Sequence, residues 1–288
     1  RNTARFLLAN LSGFDPAEHL LDPEQMLCLD RWTRERTRQL QEQVRQAYES
    51  YEFHRIFQLV HNFCAVDMGS FYLDIIKDRQ YTTQENSIPR RSAQTAMYHV
   101  VESLTRWLAP ILSFTAEELW RHLPGEREDS VFLSTWYELP SAFYPEGEIL
   151  QRMGTGFWGN IIAVREAVSK ELEKLRVAGE IGSSLDAEVD LYADDETQAM
   201  LKTVDDELRF ILITSYVHIH SAAGCPEDAV AADVPGMDFS IRAAASAHEK
   251  CVRCWHHRED VGASTVHPEL CGRCVENVTG AGEQRRFA

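Results

Sequence analysis

Four cysteines crowd into 24 residues near the end of the chain, as Cys251-x2-Cys254, a gap of sixteen residues, and Cys271-x2-Cys274. Nothing else in the sequence restricts the fold as much. Two residues between cysteines turn both sulfurs toward one centre on a tight knuckle, and two knuckles supply the four soft ligands of a tetrahedral zinc site. The gap falls in the zinc-ribbon range of about 15–20 residues. Four thiolates fill the coordination sphere and leave no position for a reacting water, so one structural zinc is expected. Gly272 reads as the residue of a tight turn. Two alternatives stay open. One is a thioredoxin-like redox pair, which wants a βαβ context and a single CxxC. The other is replacement of Cys254 by His256 or His257 as a ligand.

The cysteine total is seven. An odd number without an export signal points to a reducing compartment, and a cytoplasmic location is expected. Cys28 and Cys64 sit in apolar, helix-like surroundings and read as small buried hydrophobes. No stretch approaches the ~18 apolar residues of a membrane span, so no membrane partner is expected. The chain opens at Arg1 without Met or a signal peptide, inside what reads as a helix. It is taken as the C-terminal part of something longer.

Charge is uneven. The chain carries 29 basic and 45 acidic residues, net −16. Residues 126–235 hold 8 basic and 22 acidic residues, net −14, whereas residues 1–125 are at −2 and residues 236–288 at 0. Bulk attraction to nucleic acid is excluded, but local basic patches at either end are not.

Apolar residues at steps of three and four predict helices over residues 24–53, 53–77 and a run after Pro89 that Pro110 kinks or ends. Thr115 and Glu118 have capping-box spacing for a further short helix, stopped by Pro124 and Gly125. Long antiparallel helices with short joints make a bundle. After a loop-rich passage at 126–150, a long helix is predicted over 157–178, strands over 184–192, 208–221 and 239–243, and a short helix begun by Asp194 and Asp195. The expected fold is mainly α: a helical bundle over 1–147, a small α/β junction unit over 148–235 and a zinc-ribbon tail over 236–288.

Arg253 and Trp255 flank the first knuckle. They could stack on and hydrogen-bond unstacked bases of RNA, or Trp255 could simply cover the zinc. The run 31–38 (RWTRERTR) reads as a solvated helix face or an RNA-facing surface. His54 and His61 flank an apolar face and read as packing histidines. Residues 154–159 (GTGFWG) match GxGxxG but lack the preceding buried strand, so a dinucleotide site is set aside. No Ser-His-Asp order, HExxH or P-loop stands in the chain, and no catalytic residue is assigned.

Several blocks, in order, resemble the anticodon-binding region and zinc tail of bacterial isoleucyl-tRNA synthetases: RNTARFLLANLSGFD at 1–15, YEFH at 51–54, NFCAVD at 62–67 with FYLD at 71–74, RWLAPILSFTAEE at 106–118, IGSSLDA at 181–187, the cysteine knuckles with Trp255, and RRFA at 285–288. The resemblance runs over essentially the whole chain. It implies a class I synthetase that joins isoleucine to its tRNA with ATP and Mg2+. The signatures His-Ile-Gly-His and Lys-Met-Ser-Lys-Ser are absent, so that chemistry is expected in an upstream catalytic domain of the same polypeptide, and this chain alone is expected to be inactive. What carries over is binding of isoleucine tRNA by the bundle and a structural zinc on Cys251, Cys254, Cys271 and Cys274. Phosphate contacts are expected from Arg1, Arg5, Arg90 or Arg91, on charge and position, and base contacts from Arg253 and Trp255. A monomer is expected. The rival readings are a zinc-ribbon module that docks a protein, and the equivalent part of a valyl- or leucyl-type synthetase.

Overall fold

The longest early helix is amphipathic along its whole length, and that stripe organises the first half of the chain. In the computed structural model, which describes residues 1–140 and 153–288, the chain divides into two compact units. The first comprises Arg1–Gln80 and Glu85–Glu146, the second Tyr81–Gln84 and Gly147–Ala288. Part of the expected loop passage, at 141–152, and with it the expected boundary at 147, lies outside the described residues.

The first unit is a bundle of α1 (Asn2–Asn10), α2 (Pro16–His19), α3 (Cys28–Glu49), α4 (Phe53–Asn62), α5 (Leu73–Thr82, whose last two residues count with the second unit), α6 (Ile88–Leu108) and α7 (Ser113–Trp120). Leu40, Val44 and Ala47 of α3 are buried, at the steps read from the sequence. Helix α3 packs on α4 and α6, and α1 packs on α6. Pro89 opens α6 in its first turn, where its missing N–H is harmless, and the helix ends at Leu108 before Pro110. A polar knot ties four segments together. Asp30 of α3 and Arg79 of α5 are wholly buried and joined by two hydrogen bonds, at 2.5 and 2.6 Å. Tyr72 donates to the same carboxylate at 2.6 Å, and Ser92 of α6 also donates to it.

Residues 53–77 do not form the single α-helix that their periodicity predicts. Between α4 and α5, Phe63–Tyr72 winds as a π-helix. Gly69 fits this geometry: a Cβ there would meet the Cys64 carbonyl, five residues back, at 3.0 Å. The capping box at Thr115 and Glu118 is also absent. Helix α7 begins three residues earlier, after Leu112, and Glu117 instead accepts from Ser130 Oγ at 2.9 Å and from the Val131 N–H at 3.2 Å.

The second unit is a four-stranded sheet with helices. Strands β1 (Ala187–Ala193), β2 (Tyr216–Ser221), β3 (Val230–Ala231) and β4 (Phe239–Ala245) lie in the order β2-β1-β4-β3, with only β1 and β2 parallel. Strand β1 alternates strictly, burying Ala187, Val189, Leu191 and Ala193. The long helix Thr155–Ala178 packs on β4. Asp194 caps the helix Asp195–Lys202 through the Thr197 N–H at 2.8 Å. Strand β4 lies beyond residue 235 yet pairs with β1 along seven residues, so the sheet draws on both sides of that expected boundary.

The run 208–221 is not one strand. Leu208–Leu212 is a helix with every residue buried, Ile213 turns the chain with φ +57, and the strand starts at Tyr216. A short run that is apolar throughout carries no period, so it cannot separate a buried strand from a buried helix.

Candidate metal centre and nucleic-acid interface

The tail folds the four cysteines into one buried cluster. In the first knuckle, Trp255 N–H donates to the Cys251 carbonyl at 2.9 Å, and Cys251 N–H to the His256 carbonyl at 2.9 Å. A single bridge, Lys250 to His257, closes it. In the second knuckle, Cys271 caps the helix Gly272–Thr279, so Cys271 and Cys274 share its first turn. The positive end of that helix favours thiolate there. The Cys271 N–H also points at Cys251 Sγ, 3.4 Å away. Val261 and Leu270 pack against the cluster.

The sulfurs all lie within 4.8 Å of one another, and Cys254 and Cys271 are 3.7 Å apart. A tetrahedral ion with Zn–S bonds of about 2.3 Å sets its sulfurs about 3.8 Å apart. The cluster fits zinc as it stands. Hydrogen bonds with Cys251 draw the Cys254 thiol down and push the Cys271 and Cys274 thiols up, so four bare thiols cannot all ionise together. A divalent cation removes that conflict by replacing the shared protons.

The other ligand sets fall away. His256 is buried, but its Nδ1 faces the Cys254 carbonyl at 3.2 Å and its ring meets Phe210 edge-on. His257 is engaged by Asp186 at 3.2 Å and by the His248 carbonyl at 2.6 Å. Among the described residues, only the four cysteines bring three or more ligand atoms so close. The context is not that of a redox pair either, since both CxxC pairs face one centre.

Trp255 does not cover the zinc. It is 61 % exposed and held at φ +66, a left-handed backbone that bulky residues rarely adopt. The interior place beside the knuckle goes to His256 instead. Arg253 is exposed and uses Nη2 to donate to the Thr82 carbonyl at 2.9 Å, inside the second unit.

The remaining arginines separate. Arg1 and Arg5 line a groove of about 430 Å³ with Leu8, Thr115, Glu118 and His122, and Arg1 pairs with Glu118 at 3.4 Å. Arg90 is half-buried, and its carbonyl accepts from Gln80. Arg91 is an interior residue and corrects the expectation of a phosphate contact there. It is 5 % exposed and donates to the Gly13 carbonyl at 3.1 Å and to Gln94 and Asn86, both at 2.7 Å.

Sequence reasoning missed what anchors the tail. Asp186 accepts from Lys250 at 2.8 Å and from the Ser183 N–H at 2.8 Å. Burial alone would raise its carboxyl, but those bonds and His257 outweigh it and hold it at about 2. Phe210 lies under the guanidinium groups of Arg209, Arg273 and Arg285. Glu207 accepts from the backbone N–H groups of Arg286, Phe287 and Ala288 at 2.7–2.9 Å. None of these partners stands at a spacing that marks it.

Residues 30–191 match the family described as "Anticodon-binding domain of tRNA ligase", and residues 249–277 match "Zinc finger found in FPG and IleRS". Over its whole length the chain is 58 % identical to the isoleucine–tRNA ligases of Thioalkalivibrio sulfidiphilus and Methylococcus capsulatus, and 59 % identical to that of Nitrosococcus oceani. It spans 30 % of the length of each of these curated relatives. The first match covers more than half of the sequence, and the chain therefore belongs to the anticodon-binding domain family of tRNA ligases.

Proposed function

We propose that this chain is the tRNA-binding part of an isoleucine–tRNA ligase. It grips the anticodon stem and loop of isoleucine tRNA, so that the acceptor end reaches a catalytic domain elsewhere in the same polypeptide, where ATP and Mg2+ act. The matches to isoleucine–tRNA ligases along the whole chain support the amino acid, and the anticodon-binding family supports the ligand. The relevant polypeptide is a monomer in the cytoplasm, where a reducing setting preserves the four zinc-binding thiols.

One observation carries the reading at the level of residues. Trp255 directly follows a zinc ligand and is presented to solvent in a strained backbone conformation. Such strain costs about 1–3 kcal/mol and persists where the surroundings and a role demand it. An exposed indole is a platform for an unstacked base. Arg1 and Arg5, on the first unit, supply positive charge for phosphates.

The test is binding of an isoleucine tRNA transcript to the full ligase and to this chain, against a valine tRNA control, across a salt series. Preference for the isoleucine transcript, weakening as salt rises, supports the reading. A chain that ignores both transcripts while capturing a protein in a salt-insensitive way would favour the docking module instead.

A further inference from the structure

At the end of α5 one aromatic side chain stands out of a run that is otherwise interior. Arg79, Gln80, Thr82 and Thr83 are buried, each at 4 % exposure or less, whereas Tyr81 between them is 62 % exposed. A single exposed ring is ordinary on a protein surface. This one is set apart by what holds its backbone. Tyr81–Gln84 belongs to the second unit, together with the zinc tail.

The tail grips that segment at two points. Arg253, in the first knuckle, donates from Nη2 to the Thr82 carbonyl at 2.9 Å. Gln84 donates from Nε2 to the Gly280 carbonyl at 3.0 Å, just after the helix that carries Cys274. Gly282 closes on the same side chain: a Cβ there would meet Gln84 at 3.1 Å, and its φ of +87 also favours glycine. Tyr81 therefore stands one residue from a contact made by Arg253, and Trp255 stands two residues from that same arginine. Both rings are exposed. Residues 236–288 carry 7 basic and 7 acidic residues, against net −14 for residues 126–235, so the surface around the knuckle is the part of the second unit that least repels phosphate.

We propose that Tyr81 is a second stacking residue for the tRNA, taking an unstacked base of the anticodon loop. This role rests on the tRNA-binding reading above and adds a contact to it. The chemistry suits a tyrosine. Its flat ring turns on only two side-chain angles, so little freedom is lost when a base covers it. Its buried neighbours and the two grips of the tail fix the backbone from which the ring projects. Every base has a π-face, so stacking here contributes affinity and placement of the loop rather than choice of base. The ring is the working part; the hydroxyl is dispensable.

The experiment measures binding of isoleucine tRNA transcripts to the full ligase. Y81A weakens it about 5- to 150-fold, the range that corresponds to loss of one stacked base. Y81F keeps the ring and stays within about twofold of the parent. Zinc content, melting temperature and isoleucine-dependent ATP–pyrophosphate exchange hold in both variants. Transcripts with an abasic site at each anticodon-loop position then locate the partner: at one position the loss from the missing base and the loss from Y81A fail to add. Full affinity in Y81A overturns the proposal. So does an equal loss in Y81F, a loss matched by a fall in melting temperature, or the absence of any coupled position. A W255A loss beside an intact Y81A removes Tyr81 alone and leaves the tRNA reading standing. A parent ligase without preference for the isoleucine transcript brings down that reading and Tyr81 with it.

Discussion

Gly272 and Asp260 touch so closely that a Cβ on the glycine would lie 2.7 Å from Asp260 Oδ2, the atom that accepts the Gly272 N–H at 2.9 Å. The glycine is needed for approach rather than for a turn, since it opens a helix with ordinary backbone angles. Gly272→Ala should push Asp260 away and loosen the start of the helix that bears two zinc ligands. The cost is mainly that of the displaced hydrogen bond, about 0.5–1.5 kcal/mol. Zinc should leave the variant faster when challenged with a chromogenic chelator, and an unchanged release rate would count against the contact.

The metal itself should hold the tail. Cys271→Ser should remove zinc and unfold the residues around 245–288 while the helical bundle keeps its circular dichroism, because structural zinc contributes folding energy directly. Elemental analysis of protein purified without chelator should give one zinc per chain in the parent and none in the variant. Parent protein without zinc would refute this.

Asp30 and Arg79 form a buried pair whose separation is costly. Asp30→Asn leaves a buried guanidinium without its counter-charge, and removal of one partner of such a pair costs about 3–5 kcal/mol. Urea unfolding of the first unit should shift its midpoint accordingly. A shift below 1 kcal/mol would show that Tyr72 and Ser92 compensate.

Acid should weaken the first unit through His99. Burial, aided by the charge of Arg34, pushes this imidazole down to about 3, and its Nδ1 meets the Tyr137 hydroxyl at 2.8 Å. Between an unfolded value near 6.5 and about 3, the unfolded chain binds a proton that the folded chain refuses. Stability therefore falls as pH drops through that window, by at most about 1.4 kcal/mol per pH unit for this one group. Melting temperature against pH should be flatter in His99→Gln than in the parent. Parallel curves would remove His99 from the account.

Trp255→Ala should weaken isoleucine-tRNA binding by the full ligase about 5- to 150-fold, which converts a stacking loss of about 1–3 kcal/mol. Amino-acid activation should not change. Because the ring is exposed, zinc content and melting should hold; alanine keeps the Cβ and with it the backbone strain, so no gain in stability is expected. Lost zinc with normal tRNA affinity would return Trp255 to a packing role.

The parts that were legible in the sequence are those whose signal is local. The cysteine spacing announced the cluster, the steps from Leu40 to Ala47 announced α3, and the alternation from Ala187 announced β1. The unreadable parts depend on partners far along the chain. Arg91 looks like any surface arginine until Gly13 and Asn86 close around it. Trp255 reads equally well as a lid or a platform until its φ is known. Tyr81 looks like one more helical residue until Arg253 and Gly280 fix its segment to the tail.

The π-helical turn between Phe63 and Tyr72 amounts to a phase shift in a long rod. Each α-helical residue advances the rod by about 100° and 1.5 Å. Deleting a single residue in 63–72 while the winding stays π-helical would turn everything after it about the rod axis by nearly that angle. Arg79 would then point away from Asp30, and the bundle would lose its central knot with no other residue altered. In this stretch, chain length is as tightly specified as residue identity, so length variation should be tolerated in the loops before it is tolerated here.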